Sequence, residues 1–326
     1  ENVIIGNNAS TNNNQQDLNV CIGGRSGRYL WQQGMTIVGA YAGEAASGDT
    51  NTNLCTNGVF VGSQAGRYVS AANQCVLIGR QAGAGQASPR NFADNCVAIG
   101  YRAMQYIQSG GDNVFVGHEA GLSIPGTPLR GDLNVGIGSG ALTSIQGYGL
   151  HNTVVGANAG TNITEGDSNV ILGYTAGPTT NTSNKLYIDN SGPSDTPLIY
   201  GDFLNEELKI NGELQTVAIS ETAVTYGTTG NISLNMHNGT YFYPTGATTG
   251  VITFAFTNPA GGSPIERVTS FTLELWGGAG SPSPFVWPSS VKWPGGTEPT
   301  WTATAGSPLV NGYDVVSFVT RDGGTT

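Results

Sequence analysis

Val59-Phe60-Val61-Gly62-Ser63-Gln64-Ala65-Gly66 and Val76-Leu77-Ile78-Gly79-Arg80-Gln81-Ala82-Gly83 are two copies of one phrase, Val-x-Ile-Gly-x-x-Ala-Gly, which occurs ten times. Its anchoring glycines are Gly6, Gly23, Gly39, Gly62, Gly79, Gly100, Gly117, Gly138, Gly156 and Gly173, spaced by 17, 16, 23, 17, 21, 17, 21, 18 and 17 residues. A period of this size predicts the stacked coils of a solenoid, because one such unit cannot bury its own apolar face alone.

The residue before each anchor is always Ile, Val or Leu, and the residue two places earlier is Val in eight copies and Thr in two, Thr36 and Thr153. These β-branched positions alternate, so each phrase reads as a short strand with that face turned into the coil. The position between them is also mostly apolar, as in Ile4, Ile37, Phe60, Leu77, Phe115, Val154 and Ile171. A strand apolar on both faces is buried on both. A coil of roughly 17 residues has a thin core, so the middle row is expected to face a second copy of the chain across a threefold axis, with a dimer left open.

Three residues after the anchor stands Ala in nine copies and Ser26 in the tenth, which suits a tight corner; Gly follows in seven copies. Leu30, Ala46, Val69, Ile107, Ile124, Ile145 and Ile163, each seven after an anchor, predict a second strand per coil. The variable stretches Gly48 to Asn57 and Ser88 to Asp94 are expected as surface loops at one recurring corner. At roughly 4.8 Å per strand, ten coils make a rod about 45 Å long. Glycine is 50 of 326 residues without sustained helical spacing, which excludes an amphipathic helical fold, and without a period of three, which excludes collagen.

The phrase resembles the head repeats of trimeric autotransporter adhesins, a left-handed parallel β-roll. It looks still more like the repeat region of tailed-phage (cyanophage-like) tail fibres, where longer coils carry the same Asn-x-Val-x-Ile-Gly-x-x-Ala-Gly wording. The likeness covers about residues 1–178 and implies handedness and trimerisation.

The chain is only 10% charged with a formal net charge of −10, so a basic footprint for nucleic acid is absent from the composition. No apolar run approaches the roughly 18 residues of a membrane span. The chain opens inside a coil at Glu1-Asn2-Val3, which reads as a cut through a longer protein. The four cysteines do not make a disulfide framework in a chain of this length. Cys75 and Cys96 occupy one register in adjacent coils, where a disulfide is geometrically conceivable, and two reduced thiols are the favoured reading because stacked strands sit slightly too far apart. Cys21 reads as core and Cys55 as loop.

Pro178 ends the phrase. Residues 179–214 carry three short apolar segments, including Lys185-Leu186-Tyr187-Ile188, and are expected to cap the last coil. Residues 215–326 show short candidate strands at Thr216–Tyr226, Ile232–Met236, Thr240–Tyr243, Val251–Phe256, Thr269–Trp276, Phe285–Trp287 and Val315–Thr320. Turn signals separate them, which predicts a small antiparallel β-sandwich. The run Phe285-Val286-Trp287-Pro288-Ser289-Ser290-Val291-Lys292-Trp293-Pro294-Gly295-Gly296 resembles a C-terminal module of marine and cyanobacterial phage fibre proteins, and the likeness covers roughly residues 230–326.

For chemistry, the acids Glu119, Asp132, Glu165 and Asp167 lie near corners, and a glycan-cleaving pair would need two carboxylates about 5–10 Å apart across a bond. Solvated loop acids are the simpler reading, and no catalytic residue, enzyme activity, cofactor or metal is expected. His118, His151 and His237 lack metal-ligand spacing, with His118 expected on an outer corner. Asp112, Asn113, Asp132 and Asn134 suit hydrogen bonds to turn backbone, with the asparagines stacked as a ladder between coils. Trp287, Trp293 and Trp301 are the candidate binding residues: a saccharide shelf, or equally an aromatic core. The structural residues are Gly62, Gly79, Gly100, Gly117, Gly138, Gly156 and Gly173. The resemblance implies a virion structural protein, the distal part of a homotrimeric tail fibre. Its partners would be a host cell-surface polysaccharide or outer-membrane component and, through an N-terminal part, other virion tail proteins; nucleic acid and membrane insertion are not expected. A bacterial trimeric surface adhesin and a glycan-cleaving tailspike are the alternatives.

Overall fold

The computed structural model of the 326-residue chain describes residues 1–11, 18–46, 54–86, 91–92, 94–216, 222–235, 238–257, 269–276, 285–299, 301 and 313–320. The chain forms two units, Glu1–Leu214 and Gln215–Thr326, dividing where the third segment was expected to begin. Both are built of β-structure.

In the first unit the phrases stack as a parallel β-solenoid. Val3–Ile5, Val20–Ile22, Thr36–Val38, Val59–Val61, Val76–Ile78, Val97–Ile99, Val114–Val116, Val135–Ile137, Thr153–Val155 and Val170–Leu172 lie side by side in one sheet. Each pairs with equivalent positions of the next, as in Val59↔Val76, Phe60↔Leu77 and Val61↔Ile78. The corners carry the ladder onward: the Gln64 amide donates to Ala40 O (2.9 Å) and the Gly66 amide to Ala82 O (2.8 Å). That bonding requires left-handed backbone two residues after the anchor, even at Arg25, Tyr41, Gln64 and Arg102, with φ between 55° and 62°.

The anchors need glycine twice over. Gly62 has φ +135°, and a Cβ there would sit 2.6 Å from Gly79 O of the next coil. The alanine column, Ala42, Ala65, Ala82, Ala103, Ala120, Ala141 and Ala159, is fully buried inside the coil, as a tight corner predicts.

The two faces of each strand are the reverse of the sequence expectation. The middle row (Cys21, Ile37, Phe60, Leu77, Ala98, Phe115, Val154, Ile171) fills the coil with 0–1% exposure, whereas the β-branched Val and Ile on either side point outward. The reason is room. A Cβ at Gly66 would meet the Phe60 ring at 2.7 Å and one at Gly83 would meet Leu77 at 2.7 Å, so the second glycine of the phrase opens the interior to the middle side chain.

Three further expectations are corrected. The parallel ladder runs one coil past Gly173: Leu186, Tyr187 and Ile188 pair in register with Val170, Ile171 and Leu172. The sheet then closes antiparallel through Ile199–Asp202 and Glu207–Ile210, so residues 179–214 belong to the first unit and finish its sheet. The second strand of each coil is fragmentary among the described residues. Trp31–Gln33 pairs with Leu54–Thr56, and Val69–Ala71 with Asn91–Phe92. Higher up, Ile107, Leu129 and Gly147 make only single bridges, although Ile107, Ile145 and Ile163 are buried. Cys55 is a fully buried strand residue, not a loop residue; burial pushes its thiol up to about 12. Most of Gly48 to Asn57 and Ser88 to Asp94 lies outside the described residues.

The second unit is a β-sandwich of two facing sheets. One holds Ala223–Tyr226, Tyr241–Pro244, Thr269–Trp276 and Tyr313–Thr320; the other holds Gly230–Asn235, Ile252–Thr257 and Phe285–Val286. The chain crosses from one sheet to the other at every step. Antiparallel pairing, expected throughout, occurs between Thr269–Trp276 and Tyr313–Thr320, while the other four pairings are parallel. Parallel neighbours need a crossover connection, and passage through the other sheet supplies it for those four pairs. Rings fill the space between the sheets, Tyr226 on Phe254 (5.6 Å) and Phe256 on Phe271 (5.1 Å) among them.

Candidate functional site

Two surfaces come into question, one on each unit. On the rod, the outward row consists of paired apolar side chains, one pair per coil: Val20 and Ile22, Val59 and Val61, Val76 and Ile78, Val114 and Val116, Val135 and Ile137. They are partly exposed, reaching 36% at Ile99, 40% at Ile137 and 37% at Val155. Because the strands are in register, these side chains form two parallel files along one flat face. A face this regular and apolar is uncommon on an isolated chain.

Behind that face the rod is held by side-chain ladders. Asn113, Asn134, Asn152 and Asn169 are buried, four residues before their anchors. The Asn152 amide and Nδ2 both donate to Asn134 Oδ1 (3.1 and 3.0 Å), and its Nδ2 also donates to Gly166 O (2.8 Å). Asn169 repeats the pattern on Asn152 at 3.1 and 3.0 Å. The expected asparagine ladder is therefore present. Asp132 Oδ1 accepts from the Gly111 amide (2.7 Å) and Asp167 Oδ1 from the Leu150 amide (2.9 Å), so these carboxylates serve turns. Glu119 accepts from Arg102 (3.4 Å), and Glu165 is exposed. His118 is exposed on its corner, 5.3 Å from the Tyr101 ring. None of the four cysteines is in a disulfide and all are buried; the Cys96 amide donates to Cys75 Sγ at 3.4 Å.

On the second unit the three candidate tryptophans come together. Trp287 follows the strand Phe285–Val286, Trp293 precedes a single 3-10 turn at Pro294–Gly296, and Trp301 lies beyond it. Their ring centroids are 5.4 Å (Trp287–Trp293), 5.7 Å (Trp287–Trp301) and 5.7 Å (Trp293–Trp301) apart. Phe254 and Phe318 complete the cluster at 5.0 and 5.4 Å from Trp287. Glu298 ties it down: its Oε1 accepts from Trp287 Nε1 (2.8 Å) and Trp301 Nε1 (2.7 Å). Trp301 is 5% exposed and presents no free ring face, so of the three it belongs to the core. Trp287 and Trp293 keep partly open rings.

Glu298 was not singled out in the sequence, though its place between two indoles gives the signal: a carboxylate a few residues from tryptophans that need acceptors. Among the described residues no group of three His, Cys, Asp or Glu could hold a metal ion, and no helix is long and apolar enough to cross a membrane. No family model, no curated protein and no solved structure matches this chain.

Proposed function

We propose that this chain is a distal part of a homotrimeric tail fibre of a virion, which attaches the particle to a glycan on the host cell surface. The observation that carries the reading is the flat apolar face of the rod. Its two files of Val and Ile repeat at the strand spacing of about 4.8 Å, and another copy of the same chain is the partner whose spacing matches along the whole length. Burying a partly exposed Val or Ile on each coil contributes about 1 kcal/mol per side chain at ~25 cal/mol per Å², summed over many coils. A stiff rod carrying weak glycan contacts in several copies gains avidity without strong single sites. The open rings of Trp287 and Trp293 are the proposed contact on the second unit.

Sedimentation in native buffer tests the assembly. The chain is expected to run as a trimer, and Ile137→Asp, at an outward position, is expected to release folded monomer. A folded wild-type monomer at micromolar concentration overturns the assembly. Trp293→Ala is expected to weaken binding to host cells with folding intact; unchanged binding removes that residue from the site. Localising the chain in intact particles by antibody labelling decides the virion assignment.

A further inference from the structure

One corner of the rod gathers positive charge. Of the chain's 12 Lys and Arg residues, five stand there: Arg25, Arg28, Arg67, Arg80 and Arg102. Each lies over a tyrosine ring. Arg28 is 4.4 Å from the Tyr29 centroid and Arg67 is 4.5 Å from that of Tyr68. Arg25 and Arg67 flank Tyr41 at 5.3 and 5.2 Å, and Arg80 and Arg102 flank Tyr101 at 5.7 and 5.2 Å. The two groups join through one side chain per coil: Gln81 Nε2 donates to Gln64 Oε1 (3.0 Å) and Arg102 Nε to Gln81 Oε1 (3.3 Å).

Charge on this corner does not balance. Glu44, 5% exposed, sits between Arg28 and Arg67 on successive coils, with Arg67 Nε at 3.2 Å and the terminal nitrogens of Arg25 and Arg28 at 3.8 and 3.9 Å. Glu119 serves Arg102 at 3.4 Å. Five guanidiniums thus face two carboxylates, in a chain whose net charge is −10. Arg25 is 45% exposed, and Arg80 is exposed with no carboxylate partner among the described residues. Like charges held on one ridge repel one another, and a bound anion offsets that.

The form of the ridge says what kind of anion. It spans the six coils from Gly23 to Gly117, about 24 Å at ~4.8 Å per strand, so a linear polymer lying along it meets a fresh cation or ring every coil or two. A guanidinium fork matches a carboxylate or sulfate with two parallel hydrogen bonds. The tyrosine rings hold the guanidiniums in place along the ridge by cation–π contact. Nucleic acid fits less well, since each tyrosine face already carries an arginine and the positive excess is small beside a phosphate-tracking groove.

We propose that the arginine–tyrosine corner between Gly23 and Gly117 binds a linear carboxylated or sulfated polysaccharide laid along the rod. The site is separate from the tryptophans of the second unit and does not depend on the attachment reading given for them.

The test uses the full chain against polygalacturonate and dextran sulfate, with unsubstituted dextran and single-stranded DNA alongside. Arg25→Gln and Arg80→Ser are combined, because Gln64 and Ser63 occupy the same two places in another coil and show that those side chains fit. At least one anionic polysaccharide should bind, more weakly as salt rises. The double variant should bind it about tenfold or more weakly, the loss of two charged hydrogen-bonding partners, with its melting temperature unchanged. Trp293→Ala should leave that binding intact. Which polymer binds separates carboxylate from sulfate, and either supports the proposal. It is overturned if neither binds at low salt, if plain dextran binds equally, if DNA binds more tightly, if the double variant binds as the parent does, or if Trp293→Ala abolishes binding.

Discussion

Replacing Gly62 with alanine separates the two reasons for the anchor glycine. Gly62 has φ +135°, where an L side chain is strained by about 1–3 kcal/mol. The new Cβ would also lie 2.6 Å from Gly79 O and 2.7 Å from Gly79 C, both backbone atoms that cannot swing aside. The coils must part there, an overpacking cost of about 1–3 kcal/mol. Parting them weakens the two nearest ladder bonds across that seam, Gly79 N to Val61 O (2.8 Å) and Gln81 N to Ser63 O (3.0 Å), at roughly 1 kcal/mol each. The expected loss is about 4–8 kcal/mol, the sum of those ranges. Gly126→Ala is the control: φ is +93° and nothing lies within 4 Å of its added Cβ, so only strain of about 1–3 kcal/mol applies. Urea unfolding followed by far-UV circular dichroism reads the rod. Tryptophan fluorescence chiefly reads the second unit, which holds four of the five tryptophans, and should not move. If Gly62→Ala and Gly126→Ala cost the same, coil-to-coil contact is not what the anchor glycines serve.

Asn152→Ala should cost about 2–4 kcal/mol in the same assay, because it strips an acceptor from the buried Asn169 amide and Nδ2 and a donor from Asn134 Oδ1. Lys185 Nζ lies 2.7 Å from Asp202 Oδ2 and holds its carboxyl below the ordinary aspartate value of 3.8. The folded pKa being the lower, this pair's contribution is complete above that value and is lost as pH falls through the folded one. Stability of the rod should therefore fall less steeply with acid in Asp202→Asn, which is also less stable at neutral pH. Glu298→Ala leaves two indole N–H groups without their acceptor, and should lower the second unit's stability by about 2–4 kcal/mol while the rod's transition stays in place.

The solenoid was legible because ten anchors repeat one backbone requirement, and a repeated requirement leaves a repeated residue. Asn113 and Asn134 were legible for the same cause. Face assignment failed because apolarity alone does not say which of two apolar rows is inside. Trp301 could not be told from Trp293 in the sequence, since both are large rings near proline; what separates them is the pairing of Trp301 Nε1 with Glu298 and its burial. Cys55 was misplaced because its strand, Leu54–Thr56, is three residues long and lies inside a stretch whose length varies between coils. The parallel pairings of the second unit were hidden too. Short strands separated by turns read alike whether the chain doubles back within one sheet or crosses to the other.

The inward direction of the middle row did leave a trace in the residues. Where that row carries Ile37, Phe60, Leu77, Phe115, Val154 or Ile171, the position four after the anchor is glycine. Where the row shrinks to Ala98 or Gly136, that position grows to Met104 and Leu142, and both are buried with 1% and 0% exposure. Volume lost on one wall of the coil is restored on the other, as close packing demands. Two columns that trade volume must share one interior, so the Val and Ile files can only lie outside it. The same trade explains how the rod accepts so varied a core: each coil balances its own volume, while the glycine backbone contacts that join coils stay the same. Side chains on the outer corners are then free to change from Arg and Tyr in the lower coils to Ser, Ala and Asn in the upper ones without disturbing the stack.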